Sequence, residues 1–165
     1  MLPLLLFYVC VSIALAMIDI DTMRLPDVIV VPTTAVLTVW LAAIAAFTDS
    51  WESFLRGMIA GAGMLVFYGL IWWLSGGRGL GFGDVKMAFM LGAITGFFSW
   101  EAAIVAVISA WMLGGIFAMI GLITRKMKRG AHVPFGPFLI IGSWIGIVWG
   151  EAFVNWYLTT TGIIN

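Results

Sequence analysis

The sequence predicts an all-α membrane protein, a bundle of about six transmembrane helices within a single domain covering residues 1–165. The composition supports this class, because 63% of the residues are hydrophobic and only 10% are charged. The mean hydropathy is correspondingly high, at +1.13. A soluble domain is about 45–50% apolar, so this much apolar surface requires a bilayer as its solvent. The apolar residues also occur in segments of about 20, the length that crosses a bilayer as a helix.

Six apolar segments follow one another along the chain. They are Leu2–Ile18, Val28–Phe47, Phe54–Leu74, Asp84–Phe98, Ala102–Thr124 and Pro137–Leu158. The fourth is short, so we expect it either to thin the bilayer locally or to be shielded by its neighbours. Glycines spaced four residues apart predict close contacts between helices. These pairs are Gly57/Gly61, Gly92/Gly96, Gly142/Gly146 and Gly146/Gly150.

The basic residues predict the orientation of the bundle. With six spans, the first, third and fifth loops share one face. Seven of the eight lysines and arginines lie in or beside those loops: Arg24, Arg78, Lys86, Arg125, Lys126, Lys128 and Arg129. Positively charged loops remain in the cytoplasm. We therefore expect these three loops inside the cell and both termini outside.

The composition also excludes several classes of function. The formal net charge is zero and the chain has no basic arm, so nothing indicates a nucleic-acid partner. Cys10 is the only cysteine and His132 the only histidine. These are too few for a disulfide framework or for a metal centre built on cysteine and histidine, so we expect neither a metal nor another cofactor. The oligomeric state is left open.

Two acidic residues stand out because the orientation places them at one membrane depth on one face. Asp19 closes the first span and Asp84 opens the fourth. Two neighbouring carboxylates cannot both ionise easily, so they share a proton. The ionised member can take a proton from water while the protonated member donates one to the carbonyl that the water attacks. This pattern is typical of peptide hydrolysis by an aspartic protease.

The residues around the two aspartates have expected supporting roles. Gly81 and Gly83 would allow positive φ and close approach of an extended substrate strand beside Asp84. The start of a helix favours the ionised form of Asp84, which indicates that Asp84 is the base. Asp21 would orient the site or simply be solvated. Lys86 would pair with an acid or extend to lipid phosphates.

The segment between the first two spans contains two further expected features. Pro26 should keep the residue before it extended, and Asp27 would cap the second helix. Non-catalytic interpretations also remain open at this stage. Asp84 could be an ordinary N-cap aspartate, and the chain a non-catalytic membrane component of a pilus or secretion system. Alternatively, the chain could be a small proton-coupled transporter in which Asp19 and Asp84 bind the transported proton or cation.

Three stretches resemble those of the bacterial type IV prepilin peptidases, membrane aspartic proteases with a Gly-x-Gly-Asp motif. Ile18–Asp27 resembles the first-aspartate motif, in which an aspartate precedes a proline by seven residues and Asp or Asn follows that proline. Gly79–Lys86 resembles the second motif in its longer form. Val133–Phe138, with the sequence Val-Pro-Phe-Gly-Pro-Phe, is similar to the closing segment before the last helix. The three appear in family order.

This resemblance implies a function and a location. Asp19 and Asp84 would be the catalytic pair, and residues 1–165 one peptidase domain in the bacterial cytoplasmic membrane. The substrates would be prepilin or pseudopilin precursors, membrane helices whose basic leader is cut on the cytoplasmic side after a glycine. Larger members carry an N-terminal cysteine-motif region and also N-methylate the new terminus. We expect a short form in which methyltransferase activity is doubtful.

Overall fold

A computed structural model describes residues 1–23, 25–77, 80–124 and 134–162. Six helices are present in these ranges, and no strand. They are α1 (Leu2–Thr22), α2 (Asp27–Thr48), α3 (Trp51–Leu74), α4 (Phe82–Phe98), α5 (Trp100–Ile123) and α6 (Gly136–Thr160). The predicted six-helix architecture is confirmed. All of these helices except α4 are long and apolar enough to cross a bilayer.

The short helix α4 lies at the centre of the bundle. It packs against α2, α3, α5 and α6, and most of its 17 residues are buried. Its side chains therefore face protein on nearly every side, whereas the outer helices expose large apolar residues such as Val28 and Phe47. Of the two alternatives for the fourth span, shielding by neighbouring helices is the one that the structure shows.

The glycine pairs form the two tightest helix contacts, as predicted. Helices α3 and α4 approach so closely that a methyl group on Gly92 would lie 2.7 Å from the Ala60 carbonyl oxygen. Helices α5 and α6 meet in the same way, and a methyl group on Gly150 would lie 2.7 Å from the Ala102 Cα. Without a hydrophobic force between helices in lipid, such backbone approach supplies the packing energy.

Arg56 of α3 binds the C-terminal end of α4, the end opposite Lys86. Its guanidinium donates hydrogen bonds to the carbonyl oxygens of Gly96 (2.7 Å), Phe97 (2.9 Å) and Phe98 (2.8 Å). The last carbonyls of a helix have no partner within the helix, and an arginine fork can satisfy several of them at once. Arg56 thus fixes the end of the central helix to α3.

The buried face of α1 continues to its last turn. Its buried residues recur every three or four positions, and they are Leu4, Tyr8, Ser12, Leu15 and Asp19. This spacing places them on one face of a helix. The helix runs four residues beyond the predicted end at Ile18, and the same face that buries the apolar residues carries Asp19 into the bundle.

Candidate active site

Asp19 lies where α1 meets the start of α6. Its side chain is only 4% exposed. The backbone N–H of Gly136, the first residue of α6, donates a hydrogen bond of 3.0 Å to Asp19 Oδ2. The first N–H groups of a helix are unpaired and attract anions, so α6 presents a natural donor to this carboxylate.

Asp84 lies in the first turn of α4 and is equally buried, at 5% exposure. Its Oδ2 accepts a hydrogen bond of 3.1 Å from the backbone N–H of Gly81, the N-cap residue of the helix. Its other oxygen, Oδ1, is buried and has no hydrogen-bond partner among the residues that the structure describes. Asp84 is the third residue of α4, so it is not the N-cap residue that was considered as an alternative. Only one of its two carboxylate oxygens accepts a hydrogen bond from a described residue.

The two carboxylates line the same cavity and interact electrostatically. The cavity measures about 840 Å³ and opens at the end of the bundle where α1 ends and α4 begins. Its walls come from α1, the α1–α2 connection, the first residue of α2 and the first residues around α4. They are Ile18, Asp19, Thr22, Met23, Leu25, Pro26, Asp27, Gly81, Phe82, Gly83, Asp84 and Lys86. The predicted meeting of the two aspartate segments occurs here.

The helix dipole does not distinguish the two aspartates. Asp84 was expected to be the base because it begins a helix. Asp19 accepts a hydrogen bond from the first N–H of α6, just as Asp84 accepts one from the N-cap N–H of α4. Each carboxylate thus has a helix N-terminus and one backbone donor, so this reasoning does not assign the base.

The two motif glycines do not have the backbone geometry expected of them. Gly81 has a φ of −73°, and Gly83 lies within α4, so neither needs positive φ. The close approach at Gly83 does occur, but the neighbour belongs to the chain itself. A methyl group on Gly83 would lie 2.7 Å from Leu25 Cβ. Gly83 therefore lets the connection after α1 pack against the first turn of α4.

Lys86 pairs with an acid, and Asp27 is not the cap of α2. The N-cap is Pro26, and no side chain caps the helix. Instead, Asp27 Oδ2 accepts a hydrogen bond of 2.6 Å from Lys86 Nζ. The Lys86 ammonium also lies 4.7 Å from the centre of the Phe82 ring. This ion pair joins the start of α2 to the start of α4 at the cavity wall.

Of the two remaining residues with a predicted supporting role, Pro26 lies at the cavity and Asp21 does not. Pro26 lines the cavity, and its carbonyl accepts the N–H groups of Ile29 (3.0 Å) and Val30 (3.1 Å) to begin α2. Asp21 is exposed and does not line the cavity. Of the two roles considered for Asp21, solvation is the one that this position fits.

Gly136 is the site residue that sequence reasoning missed. The Val133–Phe138 stretch was noticed only as a family segment, and no role was given to its glycine. A methyl group on Gly136 would lie 2.6 Å from Asp19 Oδ2, so only glycine brings the α6 N–H this close to the carboxylate. The Pro-Phe-Gly-Pro pattern at the start of the last helix was the sequence feature that could have indicated this role for Gly136.

Several predictions concern residues outside the described ranges. The residues concerned are Arg24, Arg78, Gly79, the basic loop 125–130, His132 and Val133. Within the described ranges, no group of three or more His, Cys, Asp or Glu side chains could hold a metal ion. The chemistry available at the cavity is that of two buried carboxylates, which can exchange protons with a water molecule and a substrate carbonyl.

Known proteins resemble this chain over most of its length. The profile described as "Type IV leader peptidase family" matches residues 6–119. The prepilin leader peptidase/N-methyltransferase of Aeromonas salmonicida is 34% identical over 154 residues, covering 91% of this chain and 50% of the relative. The protein of the same name from Pseudomonas aeruginosa is 34% identical over 155 residues, with the same coverage of both chains.

A relative with lower sequence identity matches a similar share of this chain. The prepilin leader peptidase/N-methyltransferase of Legionella pneumophila is 29% identical over 157 residues, covering 93% of this chain and 52% of the relative. The chain thus spans about half the length of the curated relatives that it matches. No solved structure matches the sequence.

Proposed function

Because the chain belongs to the Type IV leader peptidase family, we propose that it is a membrane aspartic endopeptidase which removes the leader from prepilin or pseudopilin precursors. One observation supports this activity above the others. Asp19 and Asp84 come from distant parts of the chain, are both buried, and line one open cavity. Residues 1–165 would then act as one peptidase domain.

The proposed mechanism uses the two carboxylates as an acid–base pair. One ionised carboxylate accepts a proton from a water molecule, which attacks the carbonyl carbon of the scissile peptide. The other, protonated, donates its proton to the carbonyl oxygen. The tetrahedral intermediate then collapses: the carboxyl group that accepted the proton from water donates it to the peptide nitrogen, and the C–N bond breaks. The other carboxylate takes a proton from a hydroxyl of the intermediate, which restores the starting pair. Neither step requires a cofactor.

The site would face the cytoplasm of a bacterium, with the protein spanning the cytoplasmic membrane several times. The end of α1 and the starts of α4 and α6 meet around Asp19 and Asp84. Seven of the eight basic residues belong either to the loops that adjoin these helix ends or, in the case of Lys86, to the beginning of α4 itself. The positive-inside tendency thus supports an orientation in which the cavity opens where a basic leader would emerge from the bilayer.

Mass spectrometry of a candidate substrate tests the function directly. A type IV prepilin is co-expressed with this chain in a host that lacks its own prepilin peptidase, and the intact pilin is weighed. We expect loss of the leader only when the chain is present. An unprocessed precursor beside well-inserted protein would contradict the proposal and favour a non-catalytic or transport role. The same spectrum reports whether the new terminus carries a methyl group, which is open for this chain.

We also expect the Asp27–Lys86 ion pair to support cleavage modestly. It connects α2 to α4 at the cavity wall, but Lys86 is 29% and Asp27 60% exposed, so water screens the pair. Exposed ion pairs contribute about 0.2–1 kcal/mol, equivalent to at most about a fivefold change in an equilibrium. Lys86→Met should therefore lower the cleavage rate by up to about fivefold, measured with purified enzyme in detergent.

The reversed pair provides the control for this prediction. A variant with both Asp27→Lys and Lys86→Asp retains an ion pair at the same place and should recover most of the lost rate. If the reversed pair cleaves no faster than Lys86→Met, the lysine acts in some way other than by joining α2 to α4.

A further inference from the structure

Tyr68 is a buried tyrosine whose hydroxyl has no evident structural use. It lies on the face of α3 that packs against α4, and its side chain is fully buried. Within the described part of the chain, the hydroxyl is buried without a hydrogen-bond partner. A buried polar group normally has a partner, so an exception in a folded protein calls for an explanation.

The surroundings of Tyr68 connect it to both halves of the site. Its ring lies parallel to that of Trp111 at 6.3 Å, and 6.4 Å from that of Phe135. Phe135 directly precedes Gly136, the residue that binds Asp19. Gly69 follows Tyr68 in α3, and Val85 follows Asp84 in α4. These two residues are neighbours across the helix contact, because a methyl group on Gly69 would lie 3.6 Å from Val85 Cγ1.

Within the described ranges, Asp84 has a buried acceptor atom without a partner, which is the counterpart of the unpartnered hydroxyl donor of Tyr68. Among the described residues its Oδ1 is buried without a partner, and Asp84 interacts electrostatically with Tyr68. A phenol can donate one hydrogen bond, whereas an ionised carboxylate can only accept. The Trp111 indole also interacts with the Tyr68 hydroxyl, although the two groups do not have hydrogen-bond geometry. An indole N–H can only donate, so it would leave the phenol hydrogen free for the carboxylate.

We propose that Tyr68 is a positioning residue of the peptidase reaction, whose hydroxyl donates a hydrogen bond to Asp84 Oδ1 once substrate is bound. Hydrogen bonds at active sites are often long or poorly aligned in the free enzyme and shorten in the complex. In that state Gly81 would hold one oxygen of the carboxylate and Tyr68 the other. The carboxylate plane would then be fixed relative to Asp19. This inference rests on the proposed peptidase function.

The inference is tested by removing the hydroxyl alone. Tyr68→Phe keeps the ring contacts with Trp111 and Phe135 and deletes only the oxygen. We expect kcat for precursor cleavage to fall roughly 10- to 100-fold, the effect of losing a hydrogen bond to a charged group, with KM little changed. The pH–rate profile should also move to higher pH, because the carboxylate that loses a donor becomes a stronger base.

The other fully buried tyrosine provides a matched control. Tyr8 packs between α1 and α6, and its hydroxyl forms a hydrogen bond of 2.5 Å with Ser143 Oγ, outside the catalytic cavity. Tyr8→Phe should lower thermal stability and leave the shape of the pH profile unchanged. Among the residues that the structure describes, the charged groups facing Asp84 are Asp19 of α1 and, at the cavity wall, the Asp27–Lys86 pair. All of them are intact in both variants.

The outcomes separate this inference from the proposed function. If the unaltered chain cleaves the precursor and Tyr68→Phe has the same kcat and pH profile, the inference is wrong and the function is supported. If the unaltered chain cleaves nothing, the proposed function fails first. Should Tyr68→Phe accumulate poorly, the pH profile of its residual activity in membranes, compared with that of Tyr8→Phe, still decides the question.

Discussion

Replacing either Asp19 or Asp84 by asparagine is expected to abolish precursor cleavage while the protein still accumulates in the membrane. Asparagine has nearly the same shape, so the carbonyl oxygen can keep the hydrogen bond from Gly136 or Gly81. It cannot exchange a proton, however, and loss of a general acid or base lowers the rate by at least about 100-fold. The measurement is the initial rate of leader removal by purified variants, normalised to folded protein.

Two comparisons make this experiment specific. Asp21→Asn is the matched control, because Asp21 lies in the same segment but is exposed and outside the cavity, so it should cleave normally. The double variant with Asp19→Asn and Asp84→Asn should be no slower than either single variant, since residues that act as a unit are not additive. A normal rate in either single variant would exclude the assigned pair.

Gly136→Ala is expected to have the second-largest effect, although it adds only one methyl group. That methyl group would lie 2.6 Å from Asp19 Oδ2, well inside van der Waals contact, so the carboxyl group or the start of α6 must move. A displacement of about 1 Å at a reacting group can lower the rate about 100-fold. The rate of leader removal and the thermal unfolding temperature in detergent should be measured on the same preparation.

Gly63→Ala is the control for the added methyl group. Gly63 lies in α3, and no atom beyond its immediate chain neighbourhood lies within 4 Å of an added Cβ, so this variant should cleave normally and unfold no earlier. We expect Gly136→Ala to retain most of its stability, because alanine is tolerated at the first position of a helix. Normal cleavage by Gly136→Ala would show that the position of the Asp19 carboxyl group is not critical.

The helices themselves could be predicted from local information. Each is marked by a run of apolar residues whose transfer into lipid is favourable wherever it occurs in the chain. The glycine spacings predicted close helix contacts for a similar reason, because a four-residue repeat lies on one helix face; that these faces form the α3–α4 and α5–α6 contacts came from the structure. The distribution of lysine and arginine then placed Asp19 and Asp84 at one end of the bundle.

The detailed roles of the residues around the aspartates could not be predicted in this way. Gly83 was expected to accommodate a substrate strand, but it accommodates Leu25 of the same chain. Asp27 was expected to cap α2 but binds Lys86, which lies 59 positions away. A local pattern such as an acid after a proline fits a helix cap equally well, and the choice depends on which charged group the fold brings nearby.

The membrane class, the six helices and the two aspartates that share one face could all be predicted from the amino-acid sequence, since they depend on composition and spacing along the chain. The packing of the helices was needed to show that Gly136 supplies a donor to Asp19 across 117 positions. It was also needed to show that Asp84 has a buried, unpartnered oxygen among the described residues and interacts electrostatically with Tyr68. Such contacts depend on how the helices pack. Packing arises from many weak interactions between segments far apart in the chain, and these cannot be predicted from a local sequence pattern.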